Sequence, residues 1–266
     1  MTRTYPDGIR TRFVPGVNGL TMHVIEAGFQ SPDRPCVLLL HGFPELAYSW
    51  RSVMLPLAEA GYHVVAPDQR GYGRTTGWYG DYDGDLASFG MLNLVRDALG
   101  LVFALGYREV AAVVGHDFGS PVAAWCSLIR PDVFRSVVLM SAPFAGPPAF
   151  DTSGTPARPP LARLRAPLAA LDRPRKHYQW YYTTRDANDD MQHCPQGIQA
   201  FLRAYFHHKS ADWPHNKPFP LTGWTADELA KLPSYYVMDL AKGMAETVAA
   251  EMPDAAIADS AWLPDE

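Results

Sequence analysis

Three cysteines in 266 residues, Cys36, Cys126 and Cys194, are too few and too far apart to frame a fold with disulfides. They read as reduced thiols, which places the chain in the cytoplasm. The sequence also lacks any Lys/Arg cluster, and its net charge is −5. Neither nucleic acid nor an anionic membrane is therefore read as a partner. Long apolar runs are missing too: the longest near-continuous stretch, Ala98 to Gly106, is too short to span a bilayer. The opening MTRTYPDGIR has no apolar core of a secretory signal. There are no internal repeats. The pairs His193-Cys194 and His207-His208 come without zinc-like ligand spacing and read as surface histidines, so no metal is assigned, and no cofactor either.

What is present is the composition of an ordinary globular protein, with 47% apolar and 19% charged residues. The length suits one large α/β domain or two small ones. Strand and helix patterns alternate through the first 145 residues. Leu20–Ile25 reads as a strand after the turn Gly16-Val17-Asn18-Gly19, and the uninterrupted Cys36–Leu40 as a strand covered on both faces. Helical spacing follows over Ser49–Ala60, then a strand at His63–Ala66 and a helix over Asp85–Leu105. Val110–Val114 is a strand, Ser120–Ile129 a helix and Val137–Met140 a strand. This alternation predicts a mostly parallel sheet flanked by helices, over residues 1–141. Eight prolines between Pro143 and Pro174 then break the pattern. From Lys176 the spacing is helical and aromatic, with a second helical segment over Glu228–Met244. Residues 142–266 read as a helical cap inserted after the sixth strand.

Three motifs fall where such a sheet would carry chemistry, at the carboxyl ends of strands. They are HGFPE (41–45), DQRGYGRT (68–75) and GHDFG (115–119). An apolar run, then Gly-x-x-x-Gly, then a helix is the pattern of a nucleophile elbow, with Gly115 and Gly119 permitting the tight turn. The residue at the turn is Asp117, where serine is usual. An aspartate there also suits a helix N-cap, and HGFP nearby is what favours the nucleophile.

HGFPELAYSW, DQRGYGRT and GHDFGSPVA together resemble the α/β-hydrolase superfamily and, within it, the soluble epoxide hydrolases. HYQWYY resembles their lid-tyrosine segment. The chemistry of epoxide opening agrees with an aspartate. Attack at a saturated carbon by serine would leave an ether, which water does not readily cleave, whereas a carboxylate leaves an ester. An ionised Asp117 needs no base to attack.

The resemblance implies an oxyanion hole from the backbone N–H groups of Phe43 and Phe118, and a cis bond between Phe43 and Pro44. It makes Tyr178 the donor to the epoxide oxygen, with Gln179 and Trp180 lining the same pocket. Tyr181 and Tyr182 read as packing. His41 is read as a brace for the oxyanion loop, and His116 as turned away from the nucleophile. The partners implied are a small epoxide and water.

The family's water-activating histidine and its carboxylate partner follow the cap. No strand-like run followed by Asp or Glu is read after Tyr236, and no histidine lies beyond His215. The chain therefore reads as truncated, with six of eight strands; a short protein with a lost or different function is the alternative. A dehalogenase would use the same aspartate, but Phe118 stands where haloalkane dehalogenases usually place a halide-binding tryptophan. A non-catalytic small-molecule-binding relative also fits the chain.

Overall fold

The structure, a computed structural model, describes residues 5–31, 33–144, 146–147, 160–207, 209, 213 and 217–250. His208, His215, most of the proline-rich stretch and the SAWLPDE tail lie outside the described residues. The chain divides into two compact units, Met1–Pro148 and Ala149–Glu266.

The first unit is built on a six-stranded sheet. Its strands are β1 (Ile9–Val17), β2 (Leu20–Ala27), β3 (Cys36–Leu40), β4 (His63–Pro67), β5 (Ala112–His116) and β6 (Val137–Met140), in the order β1-β2-β4-β3-β5-β6. The β3–β4, β3–β5 and β5–β6 pairs are parallel, while β1–β2 and β2–β4 are antiparallel. Alternate residues of β3 explain its unbroken apolar run. Leu38 and Leu40 face a core with Leu101, Val102 and Val122, from α2 (Met91–Ala104) and α3 (Gly119–Ile129). Val37 and Leu39 face the opposite core with Trp50, Met54 and Ala58, around α1 (Arg51–Glu59). Each fully buried aliphatic side chain contributes roughly 1.5–3 kcal/mol, so this two-sided burial holds the central strands.

The β1 strand was not among the sequence expectations. Its IRTRFVPGV sequence sets Arg10 and Arg12 at alternate positions, and the ladder shifts register between Val14 and Val17, across Pro15-Gly16. Arg10 and Arg12 reach across the pair to the buried Glu26. The turn is the two residues Asn18 and Gly19, both at positive φ, as a tight hairpin requires. The expected helix over Asp85–Leu105 is two pieces: a 3₁₀ turn at Leu86–Phe89, capped by Asp85, and α2 after an extended Gly90. At the far edge of the sheet, β6 carries four apolar side chains that are each 38–47% exposed.

The second unit is mainly helical: α4 (Arg165–Ala169), α5 (Tyr178–Tyr182), α6 (Ala187–Gln192), α7 (Ile198–His207), α8 (Ala226–Leu229) and α9 (Met244–Ala250). It is not wholly so. Arg175–His177 (β7) pairs antiparallel with Val237–Asp239 (β8). That corrects the helix expected over Glu228–Met244, which is interrupted by this ribbon, and the reading that no strand-like run followed by Asp or Glu comes after Tyr236, since β8 ends on Asp239. His207 is buried against Trp213 rather than on the surface. All three cysteines are buried free thiols, and burial pushes Cys36 and Cys126 up to about 12. Among the described residues no helix is long and apolar enough to cross a membrane.

Candidate active site

Strand β5 runs two residues further than its apolar stretch, through Gly115 and His116, before the chain turns into α3. Asp117 sits at that turn with φ of 50°, a conformation that L-residues adopt at a cost and that Asp and Asn tolerate best. Its backbone is held on both sides, the N–H by Met140 O and the C=O by Ser120 N–H. Gly115 and Gly119 are there for close approach. A Cβ on Gly119 would lie 2.2 Å from Leu40 O, and one on Gly115 would lie 2.1 Å from Gly119 O.

The Asp117 side chain does not cap the helix. Its Oδ1 accepts the backbone N–H of Phe43 at 2.9 Å, from the loop after β3. In that loop the Phe43–Pro44 bond is cis. Phe118, whose N–H follows the aspartate directly, opens α3 with its ring 44% exposed.

Two loops are tied together beneath this pair. His41 is fully buried; its Nδ1 bonds Gly42 O at 2.8 Å, and its Nε2 accepts Gln69 N–H at 3.1 Å. Burial holds this imidazole below its usual range, in keeping with a neutral ring that accepts at Nε2. The Gln69 side chain returns a bond to His41 O at 2.6 Å. Asp68 accepts from Ala47 N, Arg74 N and His23 Nδ1. Burial pushes its carboxyl up, but those bonds outweigh it and hold it below the usual range.

His116 turns to Glu45, Nδ1 to Oε2 at 2.8 Å. Burial raises the Glu45 carboxyl, and the His116 bond and charge with the Gly42 N–H bring it below its ordinary value. Tyr72 packs edge-on against His41 at 4.8 Å. Burial, and after it the charge of Asp117, push its phenol up to about 12. Glu45 and Tyr72 are not among the residues whose roles are legible in the sequence. Their one local signal is their place in HGFPE (41–45) and DQRGYGRT (68–75).

In the second unit, Tyr178 opens α5. Its N–H donates to Tyr236 O at 2.9 Å, and its ring packs edge-to-face with Tyr182 and Tyr236. Tyr182 and Tyr205 share a hydroxyl bond of 3.1 Å. Gln179 is exposed, with Nε2 at 3.5 Å from the Tyr178 hydroxyl. The Trp180 ring packs in a different apolar cluster, with Leu164, Leu168 and Leu229. His177 caps α5 by accepting Gln179 N–H, and burial lowers its pKa to about 4.

The model of the α/β hydrolase fold family matches residues 35–227, and the chain belongs to that family. Among curated relatives, an epoxide hydrolase 3 of Siraitia grosvenorii is 42% identical over 127 residues, 48% of this chain and 37% of that protein. Epoxide hydrolase A of Mycobacterium tuberculosis is 41% identical over 136 residues, 51% of this chain and 40% of that protein. The structure of potato (Solanum tuberosum) epoxide hydrolase I superposes with a TM-score of 0.60 at 34% identity, covering 74% of this chain and 56% of that one. The chain thus spans 37–40% of these two curated relatives.

Proposed function

We propose that this chain carries the nucleophile of an epoxide hydrolase, which opens an epoxide to a vicinal diol through an ester on Asp117. The observation that supports this reading is the Phe43 N–H bond to Asp117 Oδ1. It assigns different work to the two carboxylate oxygens. Oδ2 attacks an epoxide carbon, and the C–O bond breaks with its electron pair on the ring oxygen. Tyr178 gives that oxygen a proton, a role that rests on the resemblance of HYQWYY. Oδ1 becomes the ester carbonyl oxygen and already faces a donor. When water adds to the ester carbon, negative charge develops on Oδ1, where the N–H groups of Phe43 and Phe118 form the hole. His41, through Gln69, positions the loop that presents Phe43. Pro44, Gln179 and Trp180 are proposed to border the substrate.

No metal or cofactor takes part in this scheme. The histidine that activates water in the family is assigned to no residue here. A dehalogenase reading is disfavoured because the Phe118 ring has no N–H to hold a departing halide. The test is incubation of the chain with styrene oxide followed by intact-mass measurement, with Asp117→Asn as control. One adduct on Asp117 supports the reading. Reversible binding without any adduct would replace it with a non-catalytic binding protein.

A further inference from the structure

Beside Asp117, within the first unit, lies a cavity of about 370 Å³ walled by Phe43, Tyr72, Phe89, Leu94 and Phe118. Two of those walls belong to the residues that flank the aspartate, since Phe43 N–H bonds its Oδ1 and Phe118 follows it in sequence. The size is that of a small-molecule site, and an apolar cavity of only about 150 Å³ already admits benzene.

The polar residues on its border are already engaged. Gln69 donates its amide to His41 O at 2.6 Å. Arg70 is buried and forked onto Asp97, with Nε and Nη2 each at 2.7 Å from a carboxylate oxygen, so its charge is answered away from the cavity. What remains facing the space is largely ring and aliphatic surface.

We propose that this cavity is the subsite for an apolar, aryl-sized substituent on the epoxide, and that Phe89 sets its shape. The proposal rests on Asp117 being the nucleophile. Phe89 closes the cavity from the 3₁₀ turn at Leu86–Phe89. That turn is anchored by Asp85 Oδ1, which accepts Ala87 N–H at 2.8 Å, and the Phe89 ring leans edge-on against Trp78 at 6.3 Å. Its room depends on Gly71, where a Cβ would stand 3.1 Å from Phe89 Cε1. Aromatic walls meeting an aryl ring edge-to-face or offset favour it beyond simple burial.

The test compares two epoxides on the 266-residue chain. The rate of Asp117 alkylation by styrene oxide is divided by the rate with propylene oxide, so that differences in intrinsic reactivity cancel between variants. The ratio falls about tenfold in both Phe89→Trp, which fills the space, and Phe89→Ala, which removes a wall, as pocket discrimination of this kind usually allows. An unchanged ratio in both variants overturns the subsite while leaving the nucleophile intact. If neither epoxide alkylates Asp117, the functional reading fails, and the cavity is judged separately by fluorine NMR titration with 4-fluorobenzyl alcohol. Saturable binding that weakens about tenfold in Phe89→Trp supports an aryl subsite. No binding, or equal binding in the variant, overturns it.

Discussion

The backbone N–H of Phe43 points at Asp117 Oδ1 over 2.9 Å, joining residues 74 positions apart in the chain. The carboxylate is thereby held in one orientation, and under the proposed ester mechanism the donor would meet the charge that develops in the second step.

Asp117→Asn tests that arrangement with little disturbance of the fold. Asparagine tolerates the positive φ and offers Phe43 the same acceptor, so unfolding free energy should change by less than about 1 kcal/mol while alkylation is abolished. Asp117→Ala loses the bond and strains the backbone, and should cost about 1–2 kcal/mol more. Urea titration and intact mass read the two effects separately.

Gly119→Ala should be more damaging to stability than Asp117→Asn, although it touches no charge. The added methyl meets the Leu40 carbonyl at 2.2 Å, a backbone atom that cannot swing aside. Overpacking of this kind costs about 1–3 kcal/mol. Stability equal to wild type in urea would mean that the elbow has slack this geometry denies.

The placement of Asp117 was readable because an apolar run and Gly-x-x-x-Gly constrain their own neighbourhood, and the parallel sheet because buried strands are unbroken apolar runs. What escaped reading depends on distant partners. The β1 strand is written with Arg10 and Arg12, which look solvated until Glu26 is placed beneath them. Val237–Asp239 is three residues long and becomes a strand only against Arg175–His177. Nothing local to HGFPE announces that Glu45 meets His116, or to RGYG that Tyr72 comes under the field of Asp117.

Acid should loosen the helix that bears Tyr178. His177 is neutral when it accepts Gln179 N–H, with a folded pKa of about 4 against an ordinary 6.5. A depressed histidine leaves the folded state binding fewer protons, so its contribution is present above pH 6.5 and is lost as pH falls toward 4. His177→Asn keeps a capping acceptor that does not titrate. Protection factors of the Gln179 to Tyr182 amides, each taken against the intrinsic exchange rate at that pH, should fall between pH 6.5 and 4 in wild type and stay level in the variant.

Glu26 governs a lower window. Burial raises its carboxyl, yet His63, Arg10 and Arg12 together bring it down to about 2 from 4.5. A depressed carboxylate contributes fully above pH 4.5 and loses that contribution as pH falls to 2, an effect of about 3 kcal/mol. Glu26→Gln should flatten the stability profile over that interval; a profile parallel to wild type would show the cluster to be inert.

The exposed β6 edge predicts association. Val138 is 47% exposed in a row of four apolar residues, the kind of edge that pairs with other chains unless charged. Val138→Lys should lower the fraction sedimenting as oligomer or aggregate, with the melting temperature little changed.

The Asn18 turn reaches much further than a turn usually does. Its carbonyl accepts Arg70 Nη2 at 3.2 Å, 52 positions along the chain, and its amide donates to the same Asp97 that grips Arg70. A guanidinium so shared makes residues 18, 70 and 97 a single thermodynamic unit, whose substitutions will not add. Tuning of the aromatic cavity is therefore open to inheritance from outside it. A change in the first hairpin can retune the loop bearing Tyr72 while every wall residue keeps its identity, and a search confined to those walls would miss it.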